Sequence, residues 1–227
     1  AIMDMLAADQ AYFASGRKVT VPRTQTELSN VSVLSADTKE DLSQAVVKLV
    51  LDGKTSYYDN WETAINYLID DKANVQNGKK LEIILLKNIT LTKAIANDQP
   101  VTLPEEVVLR SDDGKRYTLE GPSENGKFLM VNSSSRLAIE NINLKNGMFR
   151  MLASSDLILR NATLENTDRY MINLNASSGG IYNVYLEKGV TVKPAEIFIN
   201  STVNIYYGAE TTNFTWAEGS DGTLNHW

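Results

Sequence analysis

The sequence predicts a mainly β fold, a right-handed parallel β-helix (a solenoid) preceded by an N-terminal helical cap region. Three observations predict it. At Leu81 the spacing of the apolar residues changes from the 3.6 period of a helix to the 2 period of a strand. Beyond that point, strand-like pieces of three to six residues are separated by Asn, Ser, Asp and Gly. One pattern also recurs: Leu137-x-Ile139-x-x-Ile142-x-Leu144 returns as Leu157-x-Leu159-x-x-Ala162-x-Leu164, twenty residues on at every position. A unit of about 20 residues with several short strands cannot bury its apolar face alone, but stacked units can.

The elements follow in order. Residues 1–54 read as a helix-and-strand region, a cap or linker, and 55–227 as the β-helix. Ile2, Met5, Leu6, Asp9 and Phe13 have rough helical spacing, and Gly16 can end that helix. The stretch 17–36 alternates weakly. Leu42, Ala45 and Val46 continue a helix opened by Thr38, with Asp41 three residues on; from Val47 the pattern alternates into Asp52-Gly53, a hairpin signal. A capping helix is expected over 60–70. There Trp61, Ala64, Ile65, Leu68 and Ile69 form one apolar stripe, and Asp59 or Asn60 can cap its free N–H groups. Asn77-Gly78 marks a turn.

In the repeats, the two-residue gap between Ile139 and Ile142 reads as a corner. Asn141, Asn161 and Asn183 are expected there in successive coils, since Asn tolerates left-handed backbone. Looser copies of the unit are Ile181-x-x-Val184-x-Leu186 and Ile197-x-Ile199-x-x-x-Val203-x-Ile205. Apolar pieces precede three units, at 128–131, 148–151 and 170–174, each followed by Ser: Ser133 to Ser135, Ser154-Ser155 and Ser177-Ser178.

These residues resemble the pectate-lyase-like right-handed β-helix superfamily. Tyr57-Tyr58-Asp59-Asn60-Trp61-Glu62-Thr63-Ala64-Ile65, followed by Leu81-Glu82-Ile83-Ile84-Leu85-Leu86-Lys87-Asn88-Ile89-Thr90-Leu91, is similar to the opening of bacterial surface β-helix proteins, in which a capping helix precedes the first strand. The likeness covers roughly 55–205. It implies an exported, extracellular or cell-surface domain. The superfamily holds lyases, hydrolases, phage tailspikes and adhesins, so fold alone does not decide function. A leucine-rich repeat is the rival reading. It requires Asn or Cys three residues after Leu144, Leu164 and Leu186, where the chain has Gly147, Thr167 and Gly189.

Composition narrows the function classes. Of 227 residues 43% are apolar, enough for a continuous core, and the formal net charge is −6. Nucleic acid is not an expected partner, because phosphate binding needs clustered Lys and Arg and the densest basic pair is Lys79-Lys80. The charge also argues against adsorption to anionic lipid. There is no cysteine, hence no disulfide or thiolate chemistry. No apolar run approaches the ~20 residues of a membrane span, so no membrane insertion is expected. Asp4 and Asp9 interrupt any signal-peptide core.

Candidate chemistry is sparse, and neither cofactor nor metal is expected. The sole histidine, His226, reads as a tail residue. The hydrolase branch of the superfamily implies Asn-Thr-Asp and Asp-Asp motifs; the chain has Asn166-Thr167-Asp168 and Asp112-Asp113, but in reverse order, and Asp112-Asp113-Gly114 reads as a turn. The lyase branch implies a carboxylate-held calcium. Outward columns are expected to be Asn143, Thr163, Tyr185 and Asn204, and Ala138, Ile158 and Phe198, which form no such cluster. Glu140 and Arg160 read as a solvated corner pair. Seven Asn-x-Ser/Thr triplets, Asn88, Asn161 and Asn213 among them, read as corner residues.

Ligand binding is assigned to aromatics. Tyr182, Tyr185, Tyr206 and Tyr207 are the candidate contact residues for a surface glycan or host protein, with Tyr185 outward; Phe214 and Trp216 are expected to close the C-terminal end. The expected function is a non-catalytic, adhesin-like or spacer module of a bacterial surface. A polysaccharide lyase or hydrolase, and a phage tail fibre or tailspike, are the alternatives.

Overall fold

The computed structural model describes residues 18–20, 42–91, 99–121, 127–165, 170–174, 181–193, 196–199, 202–207, 215–216 and 223–226. The fold is mainly β and rich in parallel pairing. Its N-terminal part is antiparallel. Strand β1 (Lys18–Thr20) pairs with β3 (Lys54–Tyr58), β3 with β2 (Val47–Leu51), and β2 with β4 (Lys80–Leu85). Asp52 and Gly53 form the hairpin turn with φ of 49° and 83°, the left-handed geometry that a two-residue hairpin of this kind requires. The Asp52 carboxylate accepts from the Lys79 and Lys80 N–H groups, which hold it below the usual carboxylate range.

One expectation changes here. The expected helix reaching Val46 is a 3-10 turn, Leu42–Gln44, because Val46 N–H donates to the Tyr58 carbonyl and is drawn into the hairpin. Positions 38–41, like the helix expected over 2–13, lie outside the described residues. Residues 54 and 55, between which the sequence reading divides the chain, both lie in β3.

Helix α1 (Trp61–Asp70) begins as the sequence suggests: Asn60 Oδ1 accepts from Thr63 N–H at 2.8 Å. Trp61, Ala64, Ile65 and Leu68 are buried. Each large apolar side chain so buried stabilises the fold by roughly 1.5–3 kcal/mol. Trp61 Nε1 donates to the Phe128 carbonyl at 2.9 Å, tying the helix to a strand 67 residues away. Helix α2 (Lys72–Asn77) follows directly and buries Val75.

From β4 onward the strands lie in three parallel ladders. The first contains β4, β6 (Glu106–Ser111), the start of β9 (Arg136–Lys145), the start of β11 (Ser155–Glu165), β13 (Ile181–Leu186), β16 (Thr202–Tyr207) and β18 (Thr223–His226). The second contains β5 (Ile89–Thr90), β7 (Tyr117–Glu120), the ends of β9 and β11, and β14 (Thr191–Lys193). The third is a separate five-stranded sheet: β8 (Lys127–Val131), β10 (Met148–Met151), β12 (Tyr170–Leu174), β15 (Glu196–Ile199) and β17 (Thr215–Trp216). A single buried cluster runs from Val47 to Ile205 and joins residues of all three.

The twenty-residue repeat is a physical register. Leu137, Ile139, Ile142 and Leu144 pair with Leu157, Leu159, Ala162 and Leu164, and all eight are buried. Asn141 and Asn161 sit in the gap with φ of 52° and 46°, and Asn161 Nδ2 donates to Asn141 Oδ1 at 2.8 Å. The third corner departs from expectation. Asn183 lies within β13, opposite Asp156, and the corner is made by Gly189, φ 73°. Val184 and Leu186 therefore pair with Leu157 and Leu159, not with Ala162 and Leu164. Likewise Ile205 pairs with Val184, while Ile197 and Ile199 belong to the third ladder.

Candidate functional site

The outward positions of the first ladder form three columns, because alternate residues of a strand face the same side. The middle column is Val108, Ala138, Ile158, Tyr185 and Tyr206. Ala138 and Ile158 are buried although they lie outside the central cluster. Tyr185 and Tyr206 stack with ring centroids 4.8 Å apart and planes 11° from parallel. Burial first, then the Asp156 charge, raises the Tyr185 phenol above its ordinary value, and Arg136 opposes the shift.

The other proposed tyrosines are placed differently. Tyr182 is fully buried and its hydroxyl donates to the Met151 carbonyl at 2.9 Å, so it is a core residue and is withdrawn from the contact surface. The reason is register: Tyr182 lies two positions before inward Val184 and shares its face. Burial pushes its phenol up to about 12. Tyr207 shares the inward phase of Ile205 and packs, partly buried, against the core. The expected outward columns are also redrawn. Asn143 and Thr163 are paired on the second ladder with Thr191 next, whereas Tyr185 continues from Ala138 and Ile158; Phe198 is on the third ladder, opposite Asn173.

Two charged columns flank the middle one. On one side run Arg110, Glu140 and Arg160. They are zipped: Arg110 bridges Glu82 at 3.3 Å, and Arg160 bridges Glu140 at 3.4 Å and also Glu187. These contacts hold the Arg160 guanidinium above its ordinary pKa, with the Glu187 hydrogen bond the largest cause. On the other side run Lys80, Glu106, Arg136 and Asp156, continued by Asn183 and Asn204. Asn204 Nδ2 donates to Asn183 Oδ1 at 3.2 Å, and Asn183 Nδ2 to Asp156 Oδ1 at 2.9 Å. Neither Glu106 nor Arg136 makes an ion pair within 4.0 Å among the described residues.

That open column borders a groove of about 490 Å³. Glu106, Ser134, Arg136, Ser154, Asp156 and Ile181 line it. Ile181 is 57% exposed and forms an apolar wall. Sequence reasoning missed these residues. The signal was present in the repeat itself: Arg136 and Asp156 each precede the first inward Leu of a unit by one position.

The residues considered for catalysis are engaged elsewhere. Asp112 lies 3.8 Å from Lys48, and Asp113 3.0 Å from Arg110, in the turn before β7. Asp168 lies outside the described residues, as do Phe214, Ser177 and Ser178. His226 is in β18 opposite Tyr207, and Trp216 is in β17 opposite Ile197. Corner asparagines are likewise occupied: Arg116 donates to Asn143 Oδ1 (2.9 Å), Asn161 Oδ1 (2.8 Å) and Thr163 Oγ1 (2.9 Å), and Thr118 N–H to Asn88 Oδ1. Among the described residues no group of three or more His, Cys, Asp or Glu could hold a metal, and no helix is long and apolar enough to cross a membrane.

Comparison with protein-family models, curated proteins and solved structures finds no match.

Proposed function

We propose that the chain is a right-handed parallel β-helix serving as a non-catalytic, adhesin-like module of a bacterial surface. The observation that carries this reading is the Tyr185–Tyr206 stack on the outward column. The stack lies on a run of paired strands, so its rings are held at nearly fixed height and spacing. Rigid aromatic rings give contact area at low entropic cost, and their hydroxyls give a polar end. The ladder order supports the solenoid: the chain passes from first to second to third ladder and returns one strand further along.

The non-catalytic part rests on the engagement of the carboxylates at Asp112 and Asp113, which serve a turn. Incubation with pectin, alginate and host glycans tests it, and release of reducing or unsaturated ends overturns it. A glycan and protein array tests the adhesin-like part. Binding that Tyr185→Ala or Tyr206→Ala abolishes supports a contact surface. Silence across the array reduces the module to a spacer.

A further inference from the structure

We infer that the groove beside the tyrosine stack is a binding site for an uncharged glycan. This rests on the reading of the outward face as a contact surface and names the ligand class. The argument begins with the two charged columns. Both alternate in sign along strands about 4.8 Å apart, and in one of them both arginines are held in ion pairs, Arg110 with Glu82 and Arg160 with Glu140 and Glu187. In the other, Glu106 and Arg136 keep their hydrogen-bonding groups unspent among the described residues, and those groups face the groove.

The row presents acceptor, donor, acceptor: Glu106, Arg136, Asp156. A carboxylate only accepts and a guanidinium only donates. A ligand that satisfies all three must both donate and accept along one edge. Sugar hydroxyls do both, and the exposed Ser134 and Ser154 add two hydroxyl positions to the same wall. Charge narrows the class. Glu105, Glu106 and Asp156 oppose a polyanion, while Arg136 at the centre opposes a cation. A peptide added as an extra strand is disfavoured by topology, because every strand bordering the groove is already paired.

The apolar complement is present. Ile181 forms one wall, and Tyr185 lies two residues beyond Asn183 on the same face, near enough for Arg136 and Asp156 to act on its phenol. A pyranose has hydroxyl edges and an apolar face of C–H groups. Its edge fits the Glu106–Arg136–Asp156 row and its face fits the tyrosine platform, so an oligosaccharide would lie across the strands.

Affinity electrophoresis of the full chain tests this in native gels at ~0.15 M salt, which screens non-specific attraction. The gels contain soluble glucan, mannan or galactan as neutral probes, with polygalacturonate and glycol chitosan as charged controls. Expected is retardation by at least one neutral polymer and by neither control. Arg136→Ala and Tyr185→Ala each weaken it at least about tenfold, the loss of a charge-assisted hydrogen bond or a stacked ring. Arg160→Ala, in the ion-paired column, leaves it unchanged. Unaltered melting of each variant shows that its fold is intact. Retardation by no neutral polymer, stronger retardation by either charged one, or indifference to Arg136→Ala overturns the site. Release of sugar ends in the same gels strikes the non-catalytic reading and leaves the glycan site standing.

Discussion

The pair β9–β11 and the pair β11–β13 stack by the same parallel pairing, but they turn their corners differently. In β9 and β11 one Asn in left-handed conformation makes the turn, and five positions separate the flanking inward residues, Ile139 to Leu144 and Leu159 to Leu164. Between β13 and β14 six positions separate Leu186 from Val192, which pair with Leu159 and Leu164 of β11. Gly189 takes up the extra residue. A Cβ there would stand 3.1 Å from Asn161 Oδ1, so the glycine packs on the asparagine below it. The offset between paired strands grows independently of that corner: Leu137 pairs with Leu157 twenty residues on, and Leu157 with Val184 twenty-seven on, all of them ahead of Gly189. Stacking thus conserves which side chains face inward and tolerates added residues at corners and in loops.

The largest test of this comparison is in the core. Leu144→Asp and Leu186→Asp each place a carboxylate among fully buried neighbours, and each should lower stability by at least about 3 kcal/mol. Thermal unfolding measures both. A mild effect at Leu186 alone would show that β13 is loosely attached. Asn143→Asp, outward and beside Arg116, should cost nothing, because the guanidinium meets a carboxylate in place of an amide oxygen.

Alkaline unfolding gives the next effect. Tyr182 on β13, like Tyr67 on α1, has its phenol pushed up to about 12, chiefly by burial. The unfolded phenol ionises near ~10. The neutral, folded form is therefore fully stabilising below ~pH 10, and that contribution falls as pH rises to about 12, by on the order of 2 kcal/mol for a group of this shift. Tyr182→Phe should remove part of the alkaline loss, at the cost of the hydrogen bond to Met151. Denaturant melts at pH 8 and pH 11 measure it; an unchanged slope between them places the ring in solvent.

The smallest effects are at the corners. Asn161→Ala loses the polar side chain that makes left-handed backbone tolerable and removes contacts to Asn141 and Arg116; about 1–2 kcal/mol is expected. Gly189→Ala adds a Cβ to left-handed backbone and sets it against the close Asn161 oxygen. If the two cost alike, the corners are equivalent devices. If Gly189→Ala is neutral, the longer corner moves freely over the one beneath it.

The sequence alone determined the change of period at Leu81, the Asp52-Gly53 hairpin, the capped helix at Trp61 and the register of residues 137–164. Each is local or strictly periodic, so burial and backbone preference at neighbouring positions suffice to specify it. It also pointed to outward Tyr185 and to Tyr206, though it grouped the buried Tyr182 and the core-packed Tyr207 with them. Only the tertiary structure decided which column Tyr185 joins, that Asn183 faces Asp156, and that Glu106, Arg136 and Asp156 share one wall. Those residues come from paired strands at unequal sequence offsets. Hydrogen bonding between strands sets their neighbours, and the residues added at Gly189 and in the loops change sequence distance without changing position in the ladder.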